Sequence, residues 1–370
     1  MLFGFSVLML FGAAGVGLDA VRAQRVSTRA AGALDSAALA AARAMSESES
    51  LSDAEIIDIA RKVFAANTQS FSAQGVSSST PVVTLNRADG TVSISSNLGV
   101  STTLGHVVGT HNISFQKAAT VSFVLRKVEL AMVLDVTGSM NTGGKLDAMK
   151  DAATDVIDTI IDPNNPSLTR IALVPYSAAV NISGYQDMAS GGDSLDGCVM
   201  ERLLSPDRDT DEPPGNPRNF AVNGQLNSPS TGRYVCPAAT LLPLTNDKTL
   251  LTNTVNGYAA SGWTAGHIGL AWGWNAVSPK WSSVFSGANA PGAYNTPNVI
   301  KTVLLMTDGD FNTSYTSGTS EPEQTAESTA RTLAMCNAMK SGTHNIQIYA
   351  VAFQAPTAAE TLLRSCASSA

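Results

Sequence analysis

Short apolar runs alternate with segments of helical periodicity through the second two-thirds of the chain. Four runs have the length and composition of buried strands: residues 128–134, 171–175, 299–306 and 346–353. Three segments repeat apolar residues every three or four positions, which predicts helices over residues 145–161, 265–277 and 323–339. Strands and helices that alternate in this way form a parallel sheet with helices on both faces. We therefore predict an α/β, Rossmann-like domain over residues 126–370.

The first 45 residues have a different pattern. Residues 1–18 are uncharged and mainly apolar, at the lower limit of length for a transmembrane helix, and the alanine-rich residues 19–45 continue as a helix former. No cleavage site follows the apolar run, so we predict a membrane anchor that extends into a long helix over residues 1–45. An uncleaved signal segment or a buried helix is the alternative. Because Arg22, Arg25 and Arg29 follow the run, the positive-inside rule places the next domain in the cytoplasm, unless a basic stretch precedes Met1.

Residues 46–125 combine a linker, a helix and short strands. Ser52 and Glu55 have the spacing of a capping box at the start of an amphipathic helix over residues 53–66. The pattern then changes to β character, and we predict short strands at residues 82–85, 90–95, 112–115 and 119–125. We expect a small β-rich accessory region here.

Composition narrows the classes of function. The net charge is -7 and charged residues make up only 14% of the chain, whereas a nucleic-acid-binding surface is basic. We therefore expect no nucleic-acid partner. The sequence lacks a complete phosphate-binding loop, a G-x-S-x-G elbow and an H-E-x-x-H helix, so nothing in it indicates a hydrolase.

Four cysteines lie in the second half of the chain, and none forms a C-x-x-C pair: Cys198, Cys236, Cys336 and Cys366. In a membrane-anchored protein they predict two disulfides, for which the sequence allows three pairings. We favour Cys198–Cys236 within one irregular segment and Cys336–Cys366 between a helix and the end of the chain. Each bond would contribute roughly 3–4 kcal/mol by closing a loop. Free buried thiols in a cytosolic protein are the alternative.

Residues 183–258 interrupt the alternation of strands and helices with a stretch rich in Gly, Pro, Asp, Asn and Ser. A loop of this length in a domain is functional or disordered. The favoured Cys198–Cys236 bond lies inside it, so we predict an ordered insertion. Its acidic residues 207–212 lack the Gly and the final Glu of a calcium-binding loop, which favours a solvated acidic loop.

Polar residues follow two of the predicted strands at their carboxyl ends, where open α/β sheets bind ligands. Asp135, Thr137 and Ser139 come directly after the run 128–134, Asp308 comes after the third run, and Thr264 precedes a helix. Carboxylates and hydroxyls form a hard, oxygen-only shell that suits Mg²⁺, Mn²⁺ or Ca²⁺. The sequence therefore predicts a divalent-cation site, and Mg²⁺ is the favoured ion.

The ordered set Asp135-x-Thr137-x-Ser139, a loop Thr264 and Thr-Asp308-Gly resembles the metal-ion-dependent adhesion site of von Willebrand factor type A domains. Ser is commoner than Thr at the position of Thr137, but the donor oxygen is retained. The resemblance implies that Asp135 and the hydroxyls contact the metal and that Asp308 acts through water. It also implies that an acidic group of a partner completes the shell.

Further segments carry a more specific resemblance. The pattern Gly17-Leu-Asp19-Ala-Val-Arg22, the alanine-rich residues 33–42, and residues 262–279 and 362–368 are similar to TadE/TadG-like proteins of tight-adherence (Flp) pilus assembly. The resemblance implies a single-pass protein of the bacterial inner membrane with a periplasmic C-terminal domain. Type A domains usually carry a further strand and helix after the position of Cys366, so we expect a C-terminal truncation.

These expectations combine into one leading hypothesis and two alternatives. The leading hypothesis is a non-enzymatic, membrane-anchored interaction module that assembles or anchors adhesive pili. It would use its metal to bind a carboxylate of a pilus-assembly protein, or of another protein that offers Asp or Glu. The first alternative is a surface adhesin for host or matrix ligands, and the second is a chelatase-like enzyme subunit built on the same scaffold.

Overall fold

The computed structural model describes residues 2–87, 89–190, 197–202, 207–213, 235–315 and 320–369. The chain divides into two units, Met1–Leu125 and Arg126–Ala370. Residues 191–196, 203–206 and 214–234 of the predicted insertion lie outside the described residues.

Two helices and an antiparallel sheet form the first unit. Ser52 and Glu55 form the predicted capping box, and the alanine-rich face of the first helix is buried against the second helix and the sheet. The helices are α1 (Leu2–Glu47) and α2 (Asp53–Thr68), and the strands are β1 (Val76–Ser78), β2 (Val82–Asn86), β3 (Thr91–Ser101) and β4 (Asn112–Ser122). Strand β3 pairs with the other three. The two strands predicted at 112–115 and 119–125 are one strand, because β4 pairs with β3 along its whole length.

The prediction of a single-pass inner-membrane protein is wrong. Helix α1 is continuous over the predicted anchor, but no helix in the described part of the chain is both long and apolar enough to cross a bilayer. The physical reason lies in the composition of residues 1–18. Four glycines and Ser6 lower the hydropathy of this run, and the charged Asp19 ends it. Asp19 is buried in the first unit, where its carboxylate accepts hydrogen bonds from the backbone N–H groups of Thr103, Leu104 and Gly105.

A mixed sheet forms the centre of the second unit. Its strands are β5 (Lys127–Asp135), β6 (Thr169–Tyr176), β7 (Val180–Asn181), β8 (Cys198–Val199), β9 (Leu242–Thr245), β10 (Val299–Thr307) and β11 (Gln347–Ala352). Their order is β11-β10-β5-β6-β7-β8, and β9 also pairs with β6. The four strands predicted from the apolar runs are parallel to one another, but β7, β8 and β9 are antiparallel additions. The predicted parallel sheet is therefore only the central part of a mixed one.

Helices cover both faces of this sheet, as predicted. They are α3 (Lys145–Ile160), α4 (Gln186–Ser190), α5 (Lys248–Asn256), α6 (Gly266–Val277), α7 (Glu321–Lys340) and α8 (Thr357–Cys366). Alternate residues of β5 point to opposite faces. Ala131 and Val133 join the apolar core that contains α6 and α7, whereas Leu130, Met132 and Leu134 join the core that contains α3 and α5.

Part of the predicted insertion belongs to the domain core. Strand β9 and helix α5 fall within residues 183–258, and Leu244, Leu251 and Val255 are buried. Asp247 caps α5 by accepting a hydrogen bond from the Leu250 N–H (2.9 Å). The sequence did not predict these elements, because β9 is four residues long and contains a proline, and α5 is mostly polar.

The structure contains both favoured disulfides. Cys198 on β8 bonds to Cys236, and Cys336 on α7 bonds to Cys366 at the end of α8. The second bond holds the last helix against α7. In the described part of the chain, no cysteine is free.

Candidate functional site

Two carboxylates lie at the ends of neighbouring parallel strands. Asp135 is the last residue of β5, and Asp308 follows β10, whose Met306 pairs with Leu134. Because both strands run in the same direction, their carboxyl ends meet at one edge of the sheet. Both side chains are buried. The structure therefore brings together the two acids that the sequence singles out.

Asp135 accepts three hydrogen bonds in a fully buried position. The Thr137 N–H donates to Oδ1 (2.9 Å), and the hydroxyls of Thr307 (2.7 Å) and Tyr176 (3.2 Å) donate to Oδ2. Burial raises the pKa of the Asp135 carboxyl, and the charge of Asp308 raises it further, against the lowering effect of the Thr137 and Thr307 hydrogen bonds. Among the described residues, no Lys, Arg or His forms an ion pair with this carboxylate. A buried carboxylate without a cation destabilises the fold.

The two predicted hydroxyls connect the carboxylates. The Thr137 Oγ1 and Ser139 Oγ atoms are 3.0 Å apart, and Ser139 Oγ donates to Asp308 Oδ1 (2.7 Å). Ser139 lies in the 3₁₀ turn Gly138–Asn141, which follows β5 and directs the hydroxyl back towards β10. Four of the five predicted metal ligands thus form one continuous cluster.

Lys145 is a member of the cluster that sequence reasoning missed. Its Nζ donates to Asp308 Oδ2 (2.9 Å), so both oxygens of Asp308 have a hydrogen-bond donor. The Lys145 side chain is 16% exposed, whereas that of Asp308 is fully buried. Gly143 and Gly144 precede Lys145 with φ of 66° and 71°, a left-handed conformation that glycine adopts without strain. This turn lets α3 begin beside the end of β10.

Thr264, the fifth predicted ligand, lies on a loop that is fastened to the loop after β5. The Gly138 N–H donates to the Gly262 carbonyl (2.8 Å), which ties the two loops together. The hydrogen bonds of Thr264 itself run through its backbone: its N–H donates to Asn312 Oδ1 (3.1 Å), and its carbonyl accepts from the Thr313 N–H (3.2 Å). The structure places buried Thr264 at the start of α6, on the same edge of the sheet as the carboxylates.

Glycines let α6 pack closely beneath this edge. A Cβ atom on Gly269 would lie 2.5 Å from Cγ of Tyr176, and one on Gly273 would lie 2.4 Å from Cγ2 of Val133. Both distances are far below van der Waals contact, so only glycine fits without displacing a neighbour. Tyr176, which donates to Asp135, is therefore fixed from below by α6.

The chemistry of this donor set fits a hard divalent cation. The cluster offers carboxylate and hydroxyl oxygens without nitrogen or sulfur, as Mg²⁺, Mn²⁺ and Ca²⁺ prefer. Within the described ranges, no group of three or more His, Cys, Asp or Glu is arranged to hold a metal. A cation here would rely on two carboxylates, hydroxyls and water, and it would keep room for an outside ligand.

Tyr176 and Thr307 are site residues that the sequence did not assign. Tyr176 is paired in register with Asp135 across β5 and β6, and Thr307 directly precedes Asp308. Both orient the Asp135 carboxylate rather than offering a free oxygen to a cation. Their position at the last residue of neighbouring strands was the available signal, because strand ends of one parallel sheet converge.

A second polar cluster is buried elsewhere in the same unit. Ser328 Oγ lies 2.6 Å from His267 Nδ1, and His267 Nε2 lies 3.2 Å from Glu201 Oε2, which also pairs with Arg331. The order Ser328–His267–Glu201 resembles a nucleophile–base–acid arrangement. The sequence did not predict it, because its members come from distant segments. All three side chains are buried, and the adjoining cavity measures about 10 Å³. Burial lowers the pKa of His267 to about 4. This cluster holds the segment around Glu201 against α6 and α7.

Comparison with known proteins gives partial likenesses to solved structures. No protein-family model and no curated protein matches the chain. The vWF domain of the type V pili tip protein Mfa5 from Porphyromonas gingivalis is 14% identical over 54% of this chain and 43% of that chain, with a TM-score of 0.29. Proximal thread matrix protein 1 from the mussel byssus is 15% identical over 66% and 41% of the two chains, with a TM-score of 0.34. The pilus adhesin SpaC from Lactobacillus rhamnosus GG is 11% identical over 80% and 31%, with a TM-score of 0.36. The chain spans less than half the length of each of these proteins, and pilus proteins are among the structures to which it is similar.

Proposed function

We propose that the unit Arg126–Ala370 is a metal-dependent protein-interaction module that binds a carboxylate of a partner. One observation carries the proposal: Asp135 is a fully buried carboxylate that, among the described residues, has no cationic partner. It lies beside a second buried carboxylate and two hydroxyls at the ligand-binding edge of an α/β sheet. A divalent cation would supply the missing positive charge.

Five residues would hold the cation. Asp135 and Asp308 supply negative charge, and Thr137, Ser139 and Thr264 supply neutral oxygen. When bound, the metal would offer a positive charge with an open position for an anionic oxygen. Hydrogen bonds from Thr307 and Tyr176 orient the Asp135 carboxylate, and a hydrogen bond from Ser139 orients that of Asp308. The open position would therefore have a defined direction.

We further propose that the partner is a pilus-assembly protein, or another protein that offers Asp or Glu. The resemblance of residues 262–279 and 362–368 to TadG-like proteins supports this partner class. The first of these segments contains Thr264 and all of α6, which packs beneath the site, and the second contains Cys366, which is bonded to α7. A role as an adhesin for host or matrix ligands would use the same residues, and exposure of the protein on the outer cell surface would favour it.

Thermal unfolding of the full chain tests the metal site. The chain would be melted in chelator and in saturating Mg²⁺, Mn²⁺ or Ca²⁺. A cation at a hundred times its Kd stabilises the native state by about 2.7 kcal/mol. In a unit of this size that raises Tm by roughly 5–11 °C.

Two variants make the result specific. Asp135→Asn should abolish the rise in Tm, because it removes one of the two negative charges. Asp155→Asn removes an equal charge from the exposed face of α3 and should retain the rise. A cooperative melt in chelator with no rise in any of the three metals, or an equal rise in Asp135→Asn, contradicts the proposal.

A further inference from the structure

Lys145 gives the site a built-in positive charge. Its ammonium is 2.9 Å from Asp308 Oδ2, and Ser139 occupies the other oxygen of that carboxylate. Asp308 is fully buried, whereas Lys145 remains partly exposed at the rim. The same carboxylate would serve both the lysine and a divalent cation, so the two positive charges meet at one group.

We propose that Lys145 couples the two ligands of the site: it weakens binding of the metal alone and strengthens binding of the partner's carboxylate to the metal-loaded site. This inference rests on the proposed function. Metal and acidic partner would then bind cooperatively, and the site would load fully only when a partner is present.

The net charge of the cluster explains this expected cooperativity. Asp135 and Asp308 contribute two negative charges and Lys145 contributes one positive charge, so the cluster alone is at -1. A divalent cation brings it to +1, and a partner's carboxylate neutralises it. Without Lys145 the metal alone neutralises the cluster, and a carboxylate leaves it negative. The nearest further acids in the sequence are Asp310, which is partly exposed, and Asp147, which is exposed; neither forms an ion pair within the described residues.

The position of Lys145 supports a role at the ligand surface rather than in the fold alone. Lys145 is the first residue of α3 and follows two glycines in left-handed conformation, so its backbone lies in a turn at the ligand-binding edge. Its charge is not needed to hold this turn, since backbone hydrogen bonds flank it: the Thr142 N–H donates to the Ser139 carbonyl (3.2 Å), and the Ala148 N–H donates to the Gly144 carbonyl (3.0 Å). A lysine-to-methionine change keeps most of the aliphatic stem and removes only the charge.

Calorimetric titration of the full chain with Mn²⁺, with and without saturating acetate, tests the coupling. Acetate serves as the probe for the partner's carboxylate. For the wild type we expect acetate to tighten Mn²⁺ binding at least about fivefold, the lower limit of typical coupling between sites. Lys145→Met should bind Mn²⁺ alone about tenfold more tightly and respond to acetate by less than about twofold. Lys145→Arg, which keeps the charge, should behave as the wild type.

Lys127→Met is the matched control, because Lys127 is exposed at the opposite end of β5 and carries the same charge. It should change neither titration. Equal or weaker Mn²⁺ binding by Lys145→Met, or an undiminished response to acetate, overturns the inference while the proposed function stands. Absence of Mn²⁺ binding by the wild type overturns both. Should Lys145→Met fail to melt cooperatively, Lys145→Gln takes its place with the same expectations.

Discussion

The close packing of α6 beneath Asp135 yields a prediction that separates stability from metal binding. A Cβ atom on Gly269 would lie 2.5 Å from Cγ and 2.6 Å from Cδ1 of Tyr176. Tyr176 is fully buried and packs edge-to-face with Phe311, so its ring has little room to move. Gly269→Ala must therefore displace either Tyr176, which donates to Asp135, or the first turns of α6, which follow Thr264.

The expected loss of stability is the difference between two effects. Overpacking a core by one methyl group costs about 1–3 kcal/mol, and a contact with a rigid buried ring puts this site near the upper limit. Replacing glycine by alanine within a helix returns about 0.5–1 kcal/mol. We expect a net loss of about 2–2.5 kcal/mol, or a decrease in Tm of roughly 4–10 °C.

Gly273→Ala provides the matched comparison on the same helix. Its Cβ would lie 2.4 Å from Cγ2 of Val133, so the overpacking is similar, but Val133 donates no hydrogen bond to the site. Both variants should melt lower than the wild type in chelator. Only Gly269→Ala should also weaken Mn²⁺ binding in calorimetry, by about tenfold, which corresponds to about 1.4 kcal/mol. That amount is close to the contribution of one hydrogen bond to a charged group.

Two results would refute this reasoning. Unchanged or higher Tm for Gly269→Ala would mean that the sheet and α6 are less closely packed than the structure shows. Equal weakening of Mn²⁺ binding in both variants would mean that the loss comes from a general shift of α6 and not from Tyr176. Gly342→Ala serves as a baseline, because a Cβ there would meet nothing within 4 Å.

Two further predictions concern charge and covalent structure. Burial raises the pKa of folded Asp135. The unfolded chain releases this proton near pH 3.9, whereas the native state still holds it there. The free energy of unfolding in chelator should therefore fall as pH rises from about 3.9 to the raised pKa of the folded protein. Asp135→Asn should remove this fall, whereas saturating Mn²⁺ should offset it in the wild type; chelator melts of the two proteins with the same pH dependence would contradict the assignment. The double variant Cys336→Ala and Cys366→Ala opens a loop closed over 30 residues, so it should lose about 3–4 kcal/mol, seen as a decrease in Tm of roughly 6–16 °C. A decrease below about 2 °C would show that α8 stays docked without its bond.

The sequence predicted the residues whose role depends on their position along one strand or helix. Apolar runs of seven or eight residues located β5 and β10, and the polar residues that follow them located Asp135 and Asp308. A parallel sheet places the ends of both strands at one edge, but the direct pairing of β5 with β10, and with it the hydrogen bond from Ser139 to Asp308, follows from the strand order, which the sequence did not predict. Periodicity also located α3, α6 and α7 within a few residues, whereas it did not predict α4, α5 or α8.

Residues whose role depends on a partner distant in sequence were not predictable in the same way. Tyr176 directly follows the strand predicted at residues 171–175, and only the sheet order shows that it lies opposite Asp135. The sequence predicted Lys145 only as the first residue of a helix. In the structure, the turn at Gly143 brings its side chain to Asp308. The apolar run before Asp19 failed for a related reason: its residues have the composition of a marginal membrane segment, and only the folded unit shows that Asp19 is buried among backbone donors.

The hydrogen bonds of the cluster leave it prepared for a cation without rearrangement of protons. A hydroxyl has one proton and two lone pairs. Ser139 directs its proton to Asp308, and Thr307 directs its proton to Asp135, so each carboxylate is fixed by a neutral donor. Because Ser139 gives its single proton to Asp308, it accepts the proton of Thr137 across their 3.0 Å contact, which leaves one lone pair of Ser139 for a metal. The cation could therefore bind through oxygens that are oriented in advance, and Lys145 alone would need to share its carboxylate. The free-energy difference between the empty and the metal-loaded states would therefore depend mainly on one flexible side chain at the rim, that of Lys145.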